Sequence, residues 1–521
     1  MGRWKKAAWS AGVVARAGLV RPYLPDQLLG MGLALRRYGL SAASMYAVGA
    51  ARSSRRAAVV DEGGTLSFGE IDDRTGNVAA GLADRGVKAG DRVGVLCRNH
   101  RGFAEATVGL SKAGAEAVFL NTGLAGPQLA QVLAREGGRA VIFDEEFLGA
   151  VAGVDPAVLR IPVAEIDQLA TGPRRRPPVP RQPGEAILLT SGTTGPPKGA
   201  HRSGPTGLGP LIALLSALPL RRGDMTYVPA PLFHAWGFAH MALAGVLGST
   251  LVLRRRFDPE ATLRLIEEQD VTVLAAVPIM LQRILDLPEA TRSAYDTSSL
   301  RMVAASGSAL PGGLATRFMD TFGDVLYNLY GSTEAAWVSI ASPADLRAAP
   351  ATAGRPPRGT VVKLLDGDDR EVGPGQRGRI FVRNDVLFAG YTGGGTKPHV
   401  GGLMATGDTG HMNESGLLFV DGRDDDMIVS GGENVFPSEV EDLLLEHPGI
   451  ADVCVVGVAD DRWGQRLRAC VVPAAPGVNA EEVKDLVRSR LASYKVPRDV
   501  VFLDELPRNA TGKILRRQLS G

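Results

Sequence analysis

Continuous apolar runs alternate with helical segments through the first half of this chain of 521 residues. An apolar run of strand length is typical of a strand buried on both faces, and such strands occur in parallel sheets covered by helices. Between the first two runs, residues 103–113 have helical spacing, and Gly114 follows as a helix stop. The pattern therefore predicts an α/β fold. The runs occupy 92–97, 117–120, 140–143, 186–189, 250–253 and 271–277.

The chain is too long for one ordinary domain, and 45% of its residues are apolar, enough for a large core. A charged turn at 421–426 follows a strand-like segment at 416–420. The roughly one hundred residues after it carry helical segments at 439–446 and 480–491 and strand-like segments at 453–458 and 466–472, enough for a small α+β domain. We predict a basic arm at 1–50, a large domain of parallel-rich sheets covered by helices at 51–421, a hinge at 422–426, and a small mobile domain at 427–521.

The N-terminal region is strongly basic, with ten lysine and arginine residues up to Val60, seven of them in the arm, against Asp26 alone. It also carries Trp4, Trp9 and several apolar residues between 13 and 23, a mixture that suits an anionic membrane surface. A helix packed on the body of the protein explains the same residues. Both alternatives stay open, so the arm predicts either no membrane contact or a peripheral one.

The three cysteines, Cys97, Cys454 and Cys470, are odd in number and far apart, which fits neither a disulfide framework nor a metal site. No signal-peptide pattern occurs, because Arg16 and Arg21 interrupt the first apolar stretches. We therefore expect a cytoplasmic protein, and we expect no nucleic-acid partner.

Residues 225–253 contain no Asp, Glu, Lys or Arg, which by length alone would allow a membrane span. Prolines at 229 and 231, together with Gly237 and Gly245, interrupt the segment. These breaks favour a strand, a turn, a short helix and a second strand. The segment is better explained as a buried wall of a substrate site.

Directly behind the run 186–189 lies the segment 190–199, with three glycines, four hydroxyl side chains and one lysine. Such a loop can surround phosphate oxygens with N–H groups, hydroxyls and a cation. It is not a Walker loop, which needs glycine before the lysine and Ser or Thr after it, because Pro197 and Gly199 stand there. An ordinary flexible surface loop is the remaining alternative. The candidate phosphate-binding residues are Thr190, Ser191, Gly192, Thr193, Thr194, Gly195 and Lys198.

Six further segments follow the loop along the chain, and together with it they occur in the order of the motifs of one known family. The chain resembles the adenylate-forming superfamily of acyl-CoA synthetases, adenylation domains and luciferases, from about Thr65 to the C-terminus. The family reaction joins a carboxylate to ATP, releases pyrophosphate, and passes the acyl group from its adenylate to a thiol. The resemblance thus implies ATP, Mg²⁺ and CoA. The six segments are 229–237, 306–310, 327–334, 406–408, 422–434 and 506–513.

The resemblance also implies roles for single residues. Lys513 would be the principal catalytic cation, bridging carboxylate and α-phosphate, and Glu334 would hold Mg²⁺, with Thr190 and His234 completing the catalytic set. Asp408 would bind the ribose, with Arg423 as a second contact. Asp425 would be the hinge, and Gly432 would let the pantetheine arm pass. The adenine slot and phosphate contacts would come from Ser306, Gly307, Ser308, Asn328, Leu329, Tyr330, Gly331 and Thr333.

Each role has a plainer alternative in the residues themselves. Taken alone, Lys513 is typical of a solvated lysine in a C-terminal tail, Asp408 of a turn residue, and Tyr330 of a core aromatic. A lone histidine in an apolar run, such as His234, is usually a satisfied core residue. The order and spacing of the motifs favour the functional alternatives.

The acyl pocket is predicted from the residues that fall where the family places its substrate walls: His234, Trp236, Val277, Pro278 and Trp337. No charged residue occurs among them, so an apolar carboxylate is expected. A medium- or long-chain fatty acid is the first choice, which would make the chain a fatty-acyl-CoA synthetase. An aryl or polycyclic acid, or a carrier-protein thiol in place of CoA, is the alternative.

Two hypotheses from other classes remain less favoured. A P-loop ATPase or kinase would use a similar loop but would convert ATP to ADP. A non-enzymatic fatty-acid carrier could use the apolar pocket without chemistry. A serine hydrolase is excluded by the sequence, since no Gly-x-Ser-x-Gly segment occurs.

Overall fold

The computed structural model describes residues 3–175, 179–190, 198–201, 207–424, 428–430, 433–460, 464–475, 477–510 and 512–520. Its α-helices are α1 Arg3–Arg16, α2 Pro25–Tyr38, α3 Ala42–Ser53, α4 Phe68–Asp84, α5 Arg101–Ala113, α6 Gly126–Glu136, α7 Leu148–Val151, α8 Val163–Thr171, α9 Gly209–Ala217, α10 Ala235–Leu247, α11 Pro259–Glu268, α12 Pro278–Leu285, α13 Glu289–Arg292, α14 Gly312–Phe322, α15 Pro343–Ala348, α16 Pro437–Leu444 and α17 Ala480–Arg490. Short 3₁₀ turns lie at Glu145–Phe147, Ser493–Lys495 and Arg516–Gln518.

The strands of the large domain are β1 Ala57–Asp61, β2 Gly64–Ser67, β3 Arg92–Leu96, β4 Glu116–Phe119, β5 Gly138–Phe143, β6 Leu159–Pro162, β7 Ala186–Leu189, β8 Gly199–His201, β9 Met225–Tyr227, β10 Thr250–Val252, β11 Val273–Ala276, β12 Met302–Ala305, β13 Leu326–Tyr330, β14 Ser339–Ala341, β15 Val361–Leu365, β16 Gly378–Arg383, β17 Gly390–Tyr391, β18 His399–Val400, β19 Leu403–Met412 and β20 Leu418–Arg423. Those that follow are β21 Ile428–Ser430, β22 Glu433–Val435, β23 Ile450–Asp460, β24 Gly464–Pro473 and β25 Asp499–Phe502.

Two large sheets form the centre of the large domain. One has the order β14-β13-β12-β11-β9-β10-β1-β2, and the other has the order β17-β8-β7-β4-β3-β5-β6. Strands β13, β12, β11, β9, β10 and β1 are mutually parallel, as are β7, β4, β3, β5 and β6. Each of the six apolar runs in the sequence is one of these parallel strands. The predicted α/β fold is confirmed.

Helix α5 lies in the core, with Phe103, Val108 and Leu110 fully buried. It ends at Gly114, whose φ of +79° is a left-handed conformation that glycine adopts without strain. A Cβ at this position would lie 2.6 Å from Cβ of Pro180, so a side chain is also excluded by packing. The helix therefore ends at the predicted residue, both because of its backbone conformation and because of the space around it.

The uncharged segment 225–253 folds as β9, a turn, α10 and β10, which is the order that its prolines and glycines indicate. Strands β9 and β10 lie next to each other in the larger sheet. Among the residues that the structure describes, no helix is long and apolar enough to cross a membrane.

A third sheet, built on β15-β16-β19-β18 with β20 paired to β19, ends the large domain at Arg423. A fourth sheet, β22-β21-β24-β23 with β25 paired to β24, begins at Ile428, and α16 and α17 pack on it around Val440 and Val487. The change of sheet falls near the predicted hinge. Asp425 itself lies outside the described residues, so the hinge and the domain bounds stay predictions.

The N-terminal helices differ in how they meet the rest of the protein. In α1, Val13 is buried, and the guanidinium of Arg358 lies 4.0 Å from the ring centroid of Trp9. Just after α1, the carbonyl of Ala17 accepts a hydrogen bond from N–H of Arg222 at 2.8 Å. Of the two alternatives for the arm, α1 is therefore the packed helix. Helix α2 instead packs on α3 and keeps much of its surface exposed.

Candidate active site

The carboxyl ends of four neighbouring parallel strands meet at one edge of the larger sheet. Residues after β9, β11, β12 and β13 therefore converge there, and ligands of open α/β sheets bind at such edges. A cleft of about 1770 Å³ opens at this edge. Every predicted site residue that the structure describes lines it: Thr190, Lys198, His234, Trp236, Val277, Pro278, Ser306, Gly307, Ser308, Asn328, Leu329, Tyr330, Gly331, Thr333, Glu334, Trp337, Asp408, Arg423 and Lys513.

The predicted nucleoside end of the cleft is organised by a carboxylate. The hydroxyl of Tyr330, at the end of β13, donates to Oδ2 of Asp408 on β19 at 2.5 Å, and Nε of Arg423 lies 3.6 Å from Oδ1. Register places Asp408 directly opposite Arg423 across β19 and β20. Burial raises the pKa of Asp408, and the hydrogen bond from Tyr330 offsets part of that rise. A buried, oriented carboxylate can accept hydrogen bonds from ribose hydroxyls.

The predicted adenine slot lies beside this carboxylate. Ser306 follows β12, and its hydroxyl donates to the carbonyl of Leu329 on β13 at 2.8 Å, which holds the two strand ends together. Ser306, Asn328 and Leu329 are all buried. The slot is therefore formed by strand ends that the parallel sheet fixes in place.

The base of the phosphate loop is closed by backbone hydrogen bonds. The N–H of Thr190 donates to the carbonyl of Lys198 at 2.8 Å, and the Thr190 hydroxyl reaches the same oxygen at 3.2 Å. Strands β7 and β8 pair antiparallel on either side of the loop, so its two ends are side by side. The loop residues Ser191, Gly192, Thr193, Thr194 and Gly195 lie outside the described residues, and their phosphate contacts stay predictions.

Glu334 is 8% exposed and faces the cleft beside the loop. Its Oε1 accepts a hydrogen bond from the Tyr391 hydroxyl at 2.8 Å, and Nζ of Lys198 lies 5.4 Å from the centroid of the Tyr391 ring. Mg²⁺ in nucleotide sites commonly takes one or two carboxylates and completes its shell with phosphate and water. No group of three or more His, Cys, Asp or Glu in the described part of the chain could hold a metal. Glu334 fits Mg²⁺ as a single carboxylate ligand.

Lys513 reaches the cleft because the loop before it packs against the large domain. Gly512 has a φ of +78°, and a Cβ there would lie 2.4 Å from Cγ2 of Ile279 at the start of α12. Only glycine fits this approach of the C-terminal segment to the sheet edge. Lys513 and Asp408 line the same cleft. Burial raises the pKa of Asp408, and the charge of Lys513 offsets a small part of that rise.

His234 stands at the N-terminal end of α10 and is an electrically neutral wall of the cleft. Burial lowers its pKa to about 4, so the imidazole carries no charge at neutral pH. Its ring lies 4.6 Å from the ring of Phe233, and its Nε2 has no hydrogen-bond partner among the residues that are described. His234 therefore places a buried, neutral polar atom at the lining of the cleft.

The predicted acyl side of the cleft has an aromatic wall. The indole of Trp236 donates from Nε1 to the carbonyl of Ala276 at 3.1 Å and meets the His240 ring edge-on at 4.3 Å. The indole of Trp337 donates to the Thr360 hydroxyl at 3.1 Å. Both indoles pack against one apolar cluster that contains Leu214, Leu218 and Leu329.

His240 adds one polar atom to this wall. Its Nδ1 lies 3.2 Å from the carbonyl oxygen of Trp236. Because a carbonyl only accepts, Nδ1 carries the proton, and burial lowers the pKa of the ring to about 4. Nε2 is then a buried acceptor, and no described residue donates to it.

The sequence matches the AMP-binding enzyme family over residues 47–392, and residues 439–513 match the C-terminal domain of AMP-binding enzymes. The first match alone spans well over half of the chain. This chain belongs to the AMP-binding enzyme family. The predicted membership of the adenylate-forming superfamily, and with it the fold class, is confirmed.

Several relatives of this AMP-binding enzyme are ligases. It is 36% identical to a feruloyl-CoA synthase from Amycolatopsis sp, over 93% of this chain and 99% of the relative. It is 33% identical to an indoleacetate–CoA ligase from Aromatoleum aromaticum, over 86% and 91%. It is 32% identical to a fatty acid–[acyl-carrier-protein] ligase from Streptomyces coeruleorubidus, over 89% and 92%.

The same architecture occurs in a solved structure of o-succinylbenzoate CoA synthetase from Bacillus subtilis with its acyl-adenylate intermediate. The TM-score is 0.80 at 29% identity, covering 92% of this chain and 98% of that chain. The Bacillus subtilis synthetase also has a structure with ATP and magnesium. The predicted ATP, Mg²⁺ and CoA fit adenylate-forming CoA ligases.

Sequence reasoning missed three cleft residues of this AMP-binding enzyme. His240 lies four residues after Trp236, so the helical repeat could have placed both on one face. Tyr391 and Lys397 belong to no motif. Tyr391 reaches Glu334 because β17 pairs with β8, and Nζ of Lys397 donates to the carbonyl of Thr406 at 3.2 Å, two residues from Asp408. Gly432, predicted for the pantetheine path, lies outside the described residues.

Proposed function

We propose that this enzyme activates an aromatic or polycyclic carboxylic acid with ATP and transfers the acyl group to CoA. The observation that carries the proposal is the acyl wall, in which Trp236 and His240 meet edge-on and Trp236 is held by Ala276. Flat, fixed ring faces match a planar ring better than a flexible alkyl chain, because aromatic pairs gain from defined geometry.

The relatives support this choice of substrate class. Two of them are named for ferulate and indoleacetate, and the solved synthetase for o-succinylbenzoate, all aromatic acids. The fatty acid that the sequence suggested first is favoured less than the aryl alternative. No charged side chain occurs among the wall residues of 229–240 and 276–279 that line the cleft, so the acid is expected to be uncharged beyond its carboxylate.

The first half-reaction brings two anions together. A carboxylate oxygen attacks the α-phosphorus of ATP, the bond to the β-phosphate oxygen breaks, and pyrophosphate leaves with that electron pair. Lys513 and Lys198 supply positive charge around the reacting phosphate, and Asp408 with Arg423 holds the nucleoside. Mg²⁺ bound at Glu334 supplies further charge neutralisation for the phosphate oxygens.

In the second half-reaction the CoA thiol loses its proton to solvent and its sulfur attacks the acyl carbon. The bond between that carbon and the phosphate oxygen breaks, and AMP leaves with the electron pair. The neutral ring of His234 borders this position and adds no charge of its own near the carboxyl group. Because the ring is neutral, it forms no ion pair with the substrate carboxylate. No such ion pair then has to be broken when the carboxylate is converted to the uncharged thioester.

His240 narrows the substrate class. His240 lines the cleft and its Nε2 is a buried acceptor, as is that of His234. A buried acceptor without a donor costs free energy. A substrate with a ring hydroxyl or N–H would provide that donor. We expect phenolic or indolic acids to be preferred to the same acids without the donor.

The test is a panel of acids incubated with ATP and Mg²⁺, with pyrophosphate release measured with and without CoA. The panel pairs cinnamic acid with its ring-hydroxylated form and includes indoleacetate, octanoate and palmitate. Aromatic acids are expected to give kcat/KM values at least about tenfold above those of the fatty acids, because one additional favourable contact with the pocket changes kcat/KM by about that factor. Faster turnover of octanoate or palmitate would contradict the substrate class.

The thiol is tested in the same reactions. One relative is a ligase for an acyl-carrier protein, so a carrier-protein thiol is the second candidate acceptor. Parallel reactions with CoA and with a holo acyl-carrier protein decide between them. Transfer to the carrier protein alone would contradict CoA as the acceptor while leaving acyl-adenylate formation intact.

A further inference from the structure

Exposed apolar side chains are concentrated in one N-terminal segment. Thirteen large apolar residues are strongly exposed in the described part of the chain, and seven of them lie between 20 and 40. On helix α2 and the residue before it these are Leu24, Leu28, Leu29, Leu33 and Leu35, with exposed fractions of 44–65%. Val20 and Leu40 flank the helix. A cluster of this kind marks an interaction surface rather than scattered surface leucines.

The opposite side of α2 is already used by the fold. Its Gly30 packs against Ala51 of α3, where a Cβ would lie 3.0 Å from Cβ of Ala51. The side chain of Gln27 donates to the carbonyl of Arg52 at 2.9 Å, and Tyr38 is buried. The helix is therefore fixed in orientation, and its leucines point away from the body of the protein.

The surroundings of these leucines are positively charged. Arg16, Arg21, Arg36 and Arg37 are exposed in and beside the segment, and Asp26 is its only acidic residue. Arginine side chains extend toward phosphate while their stems lie along apolar surface. Apolar residues with basic neighbours on one helix are the pattern of helices that lie in a membrane interface.

We propose that residues 20–40, here called the α2 surface, dock on an anionic lipid bilayer. The leucines enter the boundary between headgroups and acyl chains, and the arginines pair with anionic phosphate headgroups. The helix lies in the interface and does not cross it, since 14 residues span only about 21 Å.

The charge pattern favours lipid over a second copy of this chain. Two copies joined through the same surface would bring Arg21 and Arg36 of each toward the like charges of the other. Anionic headgroups neutralise these charges instead. The proposal is independent of the acid that the enzyme activates, because no α2 residue lines the catalytic cleft.

The test is sedimentation of the full chain with vesicles of phosphatidylcholine containing phosphatidylglycerol, and with vesicles of phosphatidylcholine alone. The unaltered protein should bind the anionic vesicles, more weakly at high salt. The double variant Leu28→Ser/Leu33→Ser should lose at least about tenfold in partition coefficient, because two apolar side chains that would be buried among the lipids are replaced by polar ones. Leu148→Ser, which changes a leucine of 60% exposure on α7, is the matched control and should bind as the unaltered protein does.

Charge is tested separately. Arg21→Glu/Arg36→Glu should weaken binding to the anionic vesicles by at least about tenfold, because two attractions to anionic headgroups become repulsions. Arg139→Glu, at an exposed position on β5, is the control. Pyrophosphate release in solution should be unchanged in all of these variants, which shows that they fold.

Two outcomes would overturn the proposal. One is equal vesicle binding by the unaltered protein and the leucine variant. The other is absence of vesicle binding by the unaltered protein. In that case sedimentation velocity measures the oligomeric state, and a dimer that Leu28→Ser/Leu33→Ser converts to a monomer would identify the α2 surface as a contact between copies. Neither outcome changes the expected chemistry of the cleft.

Discussion

The hydroxyl of Tyr330 donates a hydrogen bond to Oδ2 of Asp408 over 2.5 Å and so joins two separate sheets at the nucleoside end of the cleft. Tyr330 ends β13 of the eight-stranded sheet, and Asp408 lies within β19 of the third sheet. A residue that the sequence predicted for the adenine slot thus also orients the carboxylate proposed for the ribose.

Replacing Tyr330 by Phe should weaken nucleotide binding without removing the ring. The buried Asp408 carboxylate would lose its donor, and a hydrogen bond to a charged group contributes about 1.5–3 kcal/mol. We expect the KM for ATP to rise about tenfold or more. Tyr327→Phe, the same change on the same strand, is the control and should leave the KM for ATP unchanged; an equal rise in both variants would remove the specific role of Tyr330.

Replacing Lys513 by Ala should separate the two half-reactions. The lysine neutralises charge only while carboxylate and α-phosphate react, so adenylate formation should fall by about 10²-fold or more. Transfer of the acyl group from a supplied acyl-adenylate to CoA should be nearly unchanged. Pyrophosphate exchange measures the first step and thioester formation the second, with Lys484→Ala on α17 as the control. Equal losses in both steps would contradict the assigned role.

Replacing His240 by Phe should change substrate preference rather than overall turnover. The variant loses the Nε2 acceptor but keeps an aromatic wall beside Trp236. We expect kcat/KM for ring-hydroxylated acids to fall about tenfold, and that for acids without the donor to stay the same or rise. Gln at this position would restore an acceptor and part of the preference. A uniform loss across the acid panel would mean that His240 acts only in packing.

The buried histidines should make stability depend on pH. Burial lowers the pKa of both His234 and His240 from 6.5 to about 4, so the unfolded chain takes up more protons as the pH falls below 6.5. Stability is therefore full above pH 6.5 and declines toward pH 4, by about 2 kcal/mol per histidine between pH 7 and pH 5.

Denaturant unfolding at pH 7 and pH 5 measures this decline. His240→Phe should remove about half of the histidine contribution, because one of the two proton sites is gone. The exposed His399 provides the control, since His399→Phe should leave the decline unaltered. A decline of the same size in the His240→Phe variant would show that its ring is not held neutral by burial.

The sequence predicted the strands that are marked by an apolar run, and it predicted the cleft residues that belong to a recognisable motif. The run 186–189 is strand β7 without change of bounds, and the predicted strand 453–458 lies inside β23 Ile450–Asp460. The longer strand results from an antiparallel pairing with β24 that continues from Ile450 to Asp460, and such a tertiary pairing leaves no mark in the apolar pattern.

The cleft residues divide in the same way. Those at the ends of parallel strands, such as Ser306 and Tyr330, follow from the strand pattern and the motifs. Tyr391 does not, because it enters the cleft through the pairing of β17 with β8, nearly two hundred residues away in sequence. Lys397 does not either, because it lies outside the motifs, just before the short strand β18. Composition indicated the basic arm, but which of its helices faces outward depends on the packing of α2 on α3.

The most direct test of the account is to identify the products that this enzyme forms from ATP, CoA and a hydroxylated aromatic acid such as ferulate. The account predicts equal amounts of AMP, pyrophosphate and the aryl-CoA thioester, with AMP formation dependent on the acid. Formation of ADP and phosphate, or absence of AMP with every aromatic acid offered, would contradict it.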